Sequence, residues 1–385
     1  MRVTQNMLTN SNLSYISKNY ERLGKLQDQI NTGKKITRPS DDPVVAMKGM
    51  RYRSQLVEVN QFYRNLTEGF TWMDNTDAAL EETTQILNRV RDLTVQASND
   101  SYDPVARGNI AKEIEQLQQH LVSIANTKIG DNYIFNGTDT ATPPINENQF
   151  NLEFSKFTSD LDADAIQAED YVISYHGQTY KYSTGSAGTP FEFKSSDGSK
   201  ITIDSSTGEV SRTYTEALKN KDGEPADFTE KINSTDLVIS NKDAVSTNNQ
   251  DVEIEVMKGV TVPINVRSQD AFSIDLFSGI ESIKKMLTNP DTKGTEITKA
   301  LDTIDQLLNG VVSTRAELGA RQNRAEMVEN RLLQQQIVAE KTVSDNEDID
   351  FEKVIIDLTI QESIHRASLA VGARIIQPTL MDFLR

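Results

Sequence analysis

Apolar residues return every three or four positions along both ends of this chain, and the stretch between them breaks the pattern. The first stripe is Leu13, Ile16, Tyr20, Leu23 and Ile30, with Gln27 interrupting. A longer run places Val45, Tyr52, Leu56, Val59, Tyr63, Leu66, Phe70 and Met73 on one face; after Asp77 it shifts to Ile86, Val90, Leu93 and Ala97. A third run is Ile110, Ile114, Leu117, Leu121 and Ile124. Beyond the middle, Ile297, Leu301, Ile304, Leu308 and Val311 repeat the pattern, and Leu318, Ala325, Leu332 and Ala339 continue it at seven-residue intervals. The last stretch carries Phe351, Ile355, Leu358, Leu369, Ile376, Leu380 and Phe383. Repeats this long specify coiled-coil-like packing of long helices. A helical bundle with its own core satisfies the same spacing.

Capping chemistry marks the ends of these helices. Asp41-Asp42 before Pro43 supplies an N-cap with proline in the first turn. Gly33 closes the first stripe as a C-cap glycine. Asn99-Asp100-Ser101 with Pro104, and Asn289-Pro290-Asp291, interrupt the longer runs. The acidic run Asp345 to Asp350 precedes the last helix, where negative charge suits a helix N-terminus.

The middle alternates with period two. Tyr171, Ile173 and Tyr175 lead through His176-Gly177 to Tyr180 and Tyr182, a hairpin signal. Phe191 and Phe193 lead through Ser196 to Ser199 into Ile201 and Ile203. Val252, Ile254 and Val256 face Val260, Val262, Ile264 and Val266 across Lys258-Gly259. The expected fold class is α+β: long helices from both chain ends, with an antiparallel β-rich domain inserted between them. The expected domains are 1–43 with 346–385, 44–140 with 281–345, and the insertion 141–280.

Charge and composition narrow the function. The formal net charge is −17, and duplex nucleic acid demands a basic footprint, so no nucleic-acid partner is expected. The charge is uneven: residues 141–280 hold 11 basic against 23 acidic groups, whereas residues 1–40 hold seven basic against two acidic. The basic charges of that N-terminal arm sit among Leu, Ile and Tyr at helical spacing, which reads as a packing helix with cationic flanks. The absence of cysteine removes disulfides, thiolate chemistry and Cys-ligated metals. No run of about 18 apolar residues is present, so no membrane insertion is expected, and no Sec-type apolar segment opens the sequence.

Enzyme signatures are poor: HExxH, GxGxxG, GxxxxGK[ST] and GxSxG do not occur. His120, His176 and His365 read as ordinary helix or turn residues. Asp160, Asp162 and Asp164 begin like a calcium loop but lack its glycine and its terminal glutamate (Ala165 and Tyr171 stand there), and read as a solvated acidic turn. Asn136-Gly-Thr138 and Asn233-Ser-Thr235 match a short glycosylation pattern. No enzyme activity, cofactor or metal is expected. The two terminal stripes pair naturally, yet a two-helix hairpin leaves apolar surface on its outer faces, and exposed stripes ask for neighbouring subunits. The candidate assembly residues are Leu13, Ile16, Tyr20, Leu23, Ile30, Phe351, Ile355, Leu358, Leu369, Ile376, Leu380 and Phe383. The physical reading is a self-assembling or filament-docking protein.

Particular segments carry a resemblance. Gln29-Ile-Asn-Thr-Gly-Lys-Lys-Ile36 followed by Ser40-Asp-Asp-Pro43 resembles the conserved N-terminal region of bacterial flagellins and their relatives. Leu87-Asn-Arg-Val-Arg-Asp-Leu-Thr-Val-Gln-Ala97 is similar to the flagellin segment RVRELAVQ. Three features are closer to the hook-associated branch of the family: Arg38-Pro-Ser-Asp-Asp-Pro43, the segment Ala125 to Thr138 (ANTKIGDNYIFNGT), and the ending Ile375 to Leu384 (IIQPTLMDFL). The resemblance implies an inner terminal-helix coiled coil, a helical rod and an outward-facing insertion. It implies a structural role at the hook–filament junction, with flagellin itself as the alternative; a coiled-coil adhesin unrelated to that family is the third reading of the sequence. The implied partners are hook-associated protein 1, flagellin, a ring of about eleven copies of itself, and an export chaperone at the C-terminal helix. The implied location is extracellular, on the bacterial flagellum, reached through the flagellar type III apparatus without a cleaved signal peptide.

Overall fold

A computed structural model describes residues 5–99, 103–186, 189–219 and 225–376. It divides into two compact units, residues 1–64 with 329–385 and residues 65–328. The helices are α1 (Gln5–Thr32), α2 (Pro43–Ala97), α3 (Pro104–Ala125), α4 (Phe154–Asp162), α5 (Ser268–Ala271), α6 (Ile274–Thr288), α7 (Gly294–Glu347) and α8 (Phe351–Ile376). The fold class is α+β as expected, with long terminal helices and a central antiparallel sheet.

The caps fall where the sequence places them. Gly33 stands at φ 67°, and its N–H donates to Gln29 O at 2.8 Å. The Asp42 carboxylate accepts from the N–H groups of Val44 and Val45, and Asp103 accepts from Ala106. The acidic run before α8 divides in two: Asp345 and Glu347 close α7, while Asp350 accepts from Lys353 N–H and caps α8.

In the first unit, α1 and α8 form an antiparallel pair. Their base is a latch around Glu347, which is 4% exposed. Arg53 donates Nε and Nη2 to the two Glu347 oxygens at 2.7 and 2.6 Å. Lys35 N–H donates to Glu347 O, and Ile349 N–H to Gly33 O. Lys34 Nζ reaches Asp348 at 2.6 Å. Gly49 leaves room for the buried carboxylate, since a Cβ there would stand 2.5 Å from Glu347 Oε1.

In the second unit, α2 and α7 run antiparallel, joined by Arg315 on Asp77, Arg91 on Asp305 and Gln322 on Asp74. The α2 repeat does not shift after Asp77. Leu66, Met73, Leu80 and Leu87 are buried seven apart, and Thr76, Thr83, Val90 and Ala97 form the second buried row. Thr76 and Thr83 sit inside because each hydroxyl donates to a backbone carbonyl one turn earlier, Trp72 O and Ala79 O. In α7, Ile297, Ile304, Val311, Leu318 and Ala325 form a matching buried row.

Two short strands, β1 (Lys128–Ile129) and β2 (Asn132–Tyr133), follow α3, and the insertion then holds β3 (Tyr171–Tyr175), β4 (Gln178–Ser186), β5 (Thr189–Ser195), β6 (Lys200–Ile203), β7 (Val210–Lys219), β8 (Pro225–Lys231) and β9 (Val238–Asn241). The sheet order is β8-β7-β6-β5-β4-β3-β9, antiparallel throughout. The first two expected hairpins belong to this sheet. The third, β10 (Glu253–Met257) with β11 (Val260–Pro263), stands apart as a two-stranded ribbon. It lies against α2 at Gly69, where a Cβ would meet Ile254 Cδ1 at 2.5 Å.

Two parts of the middle differ from the expected strands and turns. Phe154, Phe157 and Leu161 recur at helical spacing, and α4 covers the sheet core with Phe157 and Leu161. Asp160 and Asp162 therefore lie in a helix, and Asp164 follows it at φ 52°. Helix α6 begins at Ile274, capped by the Ser273 hydroxyl, ahead of the expected boundary at residue 281.

Gly69→Leu should detach the β10–β11 ribbon while leaving the seven-stranded sheet intact; unchanged hydrogen-exchange protection at Val256 and Val262 would contradict this. The Lys34 ammonium holds the Asp348 carboxyl below the usual carboxylate range. A lowered folded value stabilises above the unfolded value, near pH 4, and the gain is lost as the pH falls through the folded value. Exchange protection at the base of the α1–α8 pair should therefore hold down to about pH 4 and weaken below it. Asp348→Asn should flatten that part of the profile.

Candidate assembly surface

Ten of the twelve residues expected to meet other subunits lie on α1 and α8, which face each other through a narrow seam. Phe351 stands near Gly33, Gln361 and Ser368 near Asn19, and Gly372 near Ile16 and Asn12. On α1, Ile16, Leu23 and Ile30 are half-buried, as are Asn12, Asn19 and Leu26. Leu13 and Tyr20 belong to the same expected stripe but point outward, 58% and 70% exposed. The α1 helix also presents Met7, Leu8 and Tyr15 to solvent.

On α8 the contrast is sharper. Leu358 is half-buried, and Val354 and Gln361 are buried. Phe351, Ile355 and Leu369 are exposed, together with Ile356, Ile360, Ile364 and Val371, which the heptad reading did not single out. Ile376 ends α8 with no side-chain description, and Leu380 and Phe383 lie outside the described residues. The expected stripes thus divide between the seam and the outer faces.

The seam itself is largely polar in its outer half. Asn19 Nδ2 donates to Ser368 Oγ at 3.1 Å, and Gln361 Nε2 donates to Asn19 Oδ1 at 3.2 Å. The Tyr20 and His365 rings stand 5.8 Å apart. Sequence reasoning missed these seam residues because it searched for apolar repeats. The available signal was the seven-residue spacing of Asn12 with Asn19, Gln361 with Ser368, and His365 with Gly372.

Elsewhere the polar clusters serve packing. His120 lies 3.2 Å from Glu82 on α2. His176 and Gly177 form the β3–β4 turn with positive φ at both residues, and Gly177 N–H donates to Ser282 Oγ on α6. Burial pushes the His176 imidazole below its usual range. Tyr180 Oη accepts from Ser199 and Arg212 within the sheet. A recess of about 780 Å³ beside this turn is lined by Lys181, Lys194 and Lys299 and by Asp197, Asp275 and Asp302. Among the described residues, no group of three or more His, Asp or Glu could hold a metal ion, and no helix is long and apolar enough to cross a membrane. Of the two glycosylation patterns, Asn136 is 2% exposed and its amide nitrogen donates to Thr142. Asn233 is exposed.

Known proteins share both ends of the chain. The bacterial flagellin N-terminal helical region matches residues 3–140, and the bacterial flagellin C-terminal helical region matches residues 301–384. The chain belongs to the bacterial flagellin family. A flagellin of Clostridium tyrobutyricum is 26% identical over 356 residues, 86% of this chain and 87% of its own. The flagellar hook-associated protein 3 of Escherichia coli K12 is 28% identical over 148 residues, 38% of this chain and 47% of its own. The solved structure of a flagellar hook-associated protein from Vibrio parahaemolyticus superposes with a TM-score of 0.52 at 16% identity, covering 80% of this chain and 100% of that one. That likeness is one of fold. The family consists of structural flagellar proteins.

Because Leu369 is half exposed and outside the seam, Leu369→Asp should move the melting temperature of the isolated chain little, within about 0.5 kcal/mol of stability. It should reduce self-association in light scattering. A large loss of stability would place Leu369 in the fold of the single chain.

Proposed function

We propose that this flagellin-family chain is a structural subunit of the bacterial flagellum that joins the hook to the filament. The carrying observation is the apolar surface left uncovered on both terminal helices. Seven large apolar side chains of α8 and five of α1 are exposed, and contiguous surface of this kind belongs in contact with other subunits. The paired terminal helices would line the inside of a tubular lattice. The α2–α7 rod would stand around them, and the seven-stranded sheet would project outward. In that setting residues 1–43 with 346–385, residues 44–140 with 281–345, and residues 141–280 act as inner, rod and outer domains.

The junction reading draws on the similarity to hook-associated protein 3 at the amino-acid level and on the fold shared with a hook-associated protein. The partners it assigns are hook-associated protein 1 below, flagellin above and copies of this chain around the ring. An export chaperone would hold the C-terminal helix before assembly. Such a subunit lies outside the cell, delivered through the flagellar type III apparatus. Its work is mechanical and templating: it presents a flagellin-like face to the first filament subunits. It has no catalytic step. A second reading, the filament subunit itself, is favoured by the match to flagellins along most of the chain.

Deleting the gene separates the two. A junction subunit leaves intact hooks without filaments, with flagellin shed unpolymerised into the medium. Loss of the flagellin pool itself would establish the filament subunit instead. Normal flagella would overturn both readings.

A further inference from the structure

The α1–α8 seam is apolar at its base and polar further out. At the base the inward residues are apolar, Leu26 and Ile30 on α1 and Val354 and Leu358 on α8. Further out they become Asn19 between Gln361 and Ser368, then Asn12 beside Gly372. Gln361 is 9% exposed. Asn12 Nδ2 and His365 Nδ1 are buried and make no hydrogen bond among the described residues. Gly372 lets the helices close: a Cβ there would lie 3.2 Å from Ile16 Cδ1 and 3.3 Å from Asn12 Nδ2. Meanwhile Leu13, Tyr20, Ile355, Ile360, Ile364 and Leu369 face outward. Burial of apolar area alone gives no reason for the polar residues in the outer half of the seam.

We propose that the Asn19–Gln361–Ser368 hydrogen-bond set selects the partner: it pairs α1 with the α8 of its own chain and reserves the apolar faces for neighbouring copies. The proposal rests on the assembly reading above. Asn19 accepts from one turn of α8 and donates to another, so both halves of its amide are used only in this register. Set against the outer face of a neighbouring α8, with Ile355, Ile356 and Ile360, the same amide would be buried without a partner, which is costly. A slip of one heptad would bring Asn19 to Leu358 in one direction and to Gly372 in the other, losing one or both bonds. A polar residue at a seam position is known to fix register and partner at the expense of stability. Here it sets apolar faces against apolar faces between copies, and polar against polar within one.

The test uses the full chain. Asn19→Leu with Gln361→Leu makes the seam apolar. The variant should keep its helical signal and form soluble oligomers, with an apparent dissociation constant lower by roughly tenfold or more than the parent's. A parental mass distribution in light scattering and sedimentation would overturn the proposal. A second measurement does not depend on how the leucine variant folds. The chain has no cysteine, so Asn19→Cys with Ser368→Cys reports which α8 each α1 meets. Closure within the chain, read as monomer on a non-reducing gel after mild oxidation, supports the proposal. Predominant linkage between chains overturns it. Neither result depends on the deletion phenotype, so this proposal and the junction reading fail separately.

Discussion

The architecture depends on a seven-residue repeat carried by two helices that 196 residues of chain separate. Leu66, Met73, Leu80 and Leu87 in α2 and Ile297, Ile304, Val311 and Leu318 in α7 are buried at that spacing. A strict repeat of this kind keeps one stripe of each helix turned inward over many turns. Arg315 on Asp77 and Arg91 on Asp305 add bidentate ion pairs along the antiparallel contact. The helices that flank the insertion, α3 and α6, lie against each other, which brings the two ends of the segment carrying the seven-stranded sheet close together. Its turn at His176-Gly177 then binds α6 through one backbone N–H.

In the first unit the governing interaction is electrostatic. Glu347 is almost fully buried, and an isolated buried carboxylate is costly. Arg53 answers it with a bidentate pair and Gly49 with space. Arg53 keeps most of its side chain in water, so the desolvation cost falls mainly on the acid. Around this latch the backbone of residues 33–35 pairs with that of residues 347–349. The place where α1 and α8 leave the base is thereby set before their own weak seam is counted.

Seen together, the two helical contacts are built for different ends. The α2–α7 contact is apolar inside and charged outside, as a self-sufficient pair must be. The α1–α8 contact is half polar inside and apolar outside. Under the proposed assembly the two contacts divide the work: one holds in the single chain, and the other leaves its outer faces to be buried against neighbouring subunits.

The α+β class, the helical ends, the hairpins at His176-Gly177 and Lys258-Gly259 and the caps at Gly33 and Asp42 were legible in the amino-acid sequence. Each rests on local periodicity or on residues with a restricted backbone. The continuous α2 repeat was not, because Thr76 and Thr83 count as polar until their hydroxyls are seen bonding to the preceding turn. Helix α4 was hidden for a similar reason: three apolar residues in nine are too few to outweigh the acidic ones around them. Of the candidate surface, the helices that carry it were legible, but not the direction each residue faces. Periodicity set Leu13 and Tyr20 in the stripe of α1, with Ile16 and Leu23, and Ile355 and Leu369 in the stripe of α8, with Leu358. Only the tertiary structure decided that Ile16, Leu23 and Leu358 turn toward the seam while those four turn away, and that Asn19 and Gln361 lie between the helices. Spacing defines the faces of a helix; which face is covered depends on a partner distant in sequence, and no local pattern contains that information.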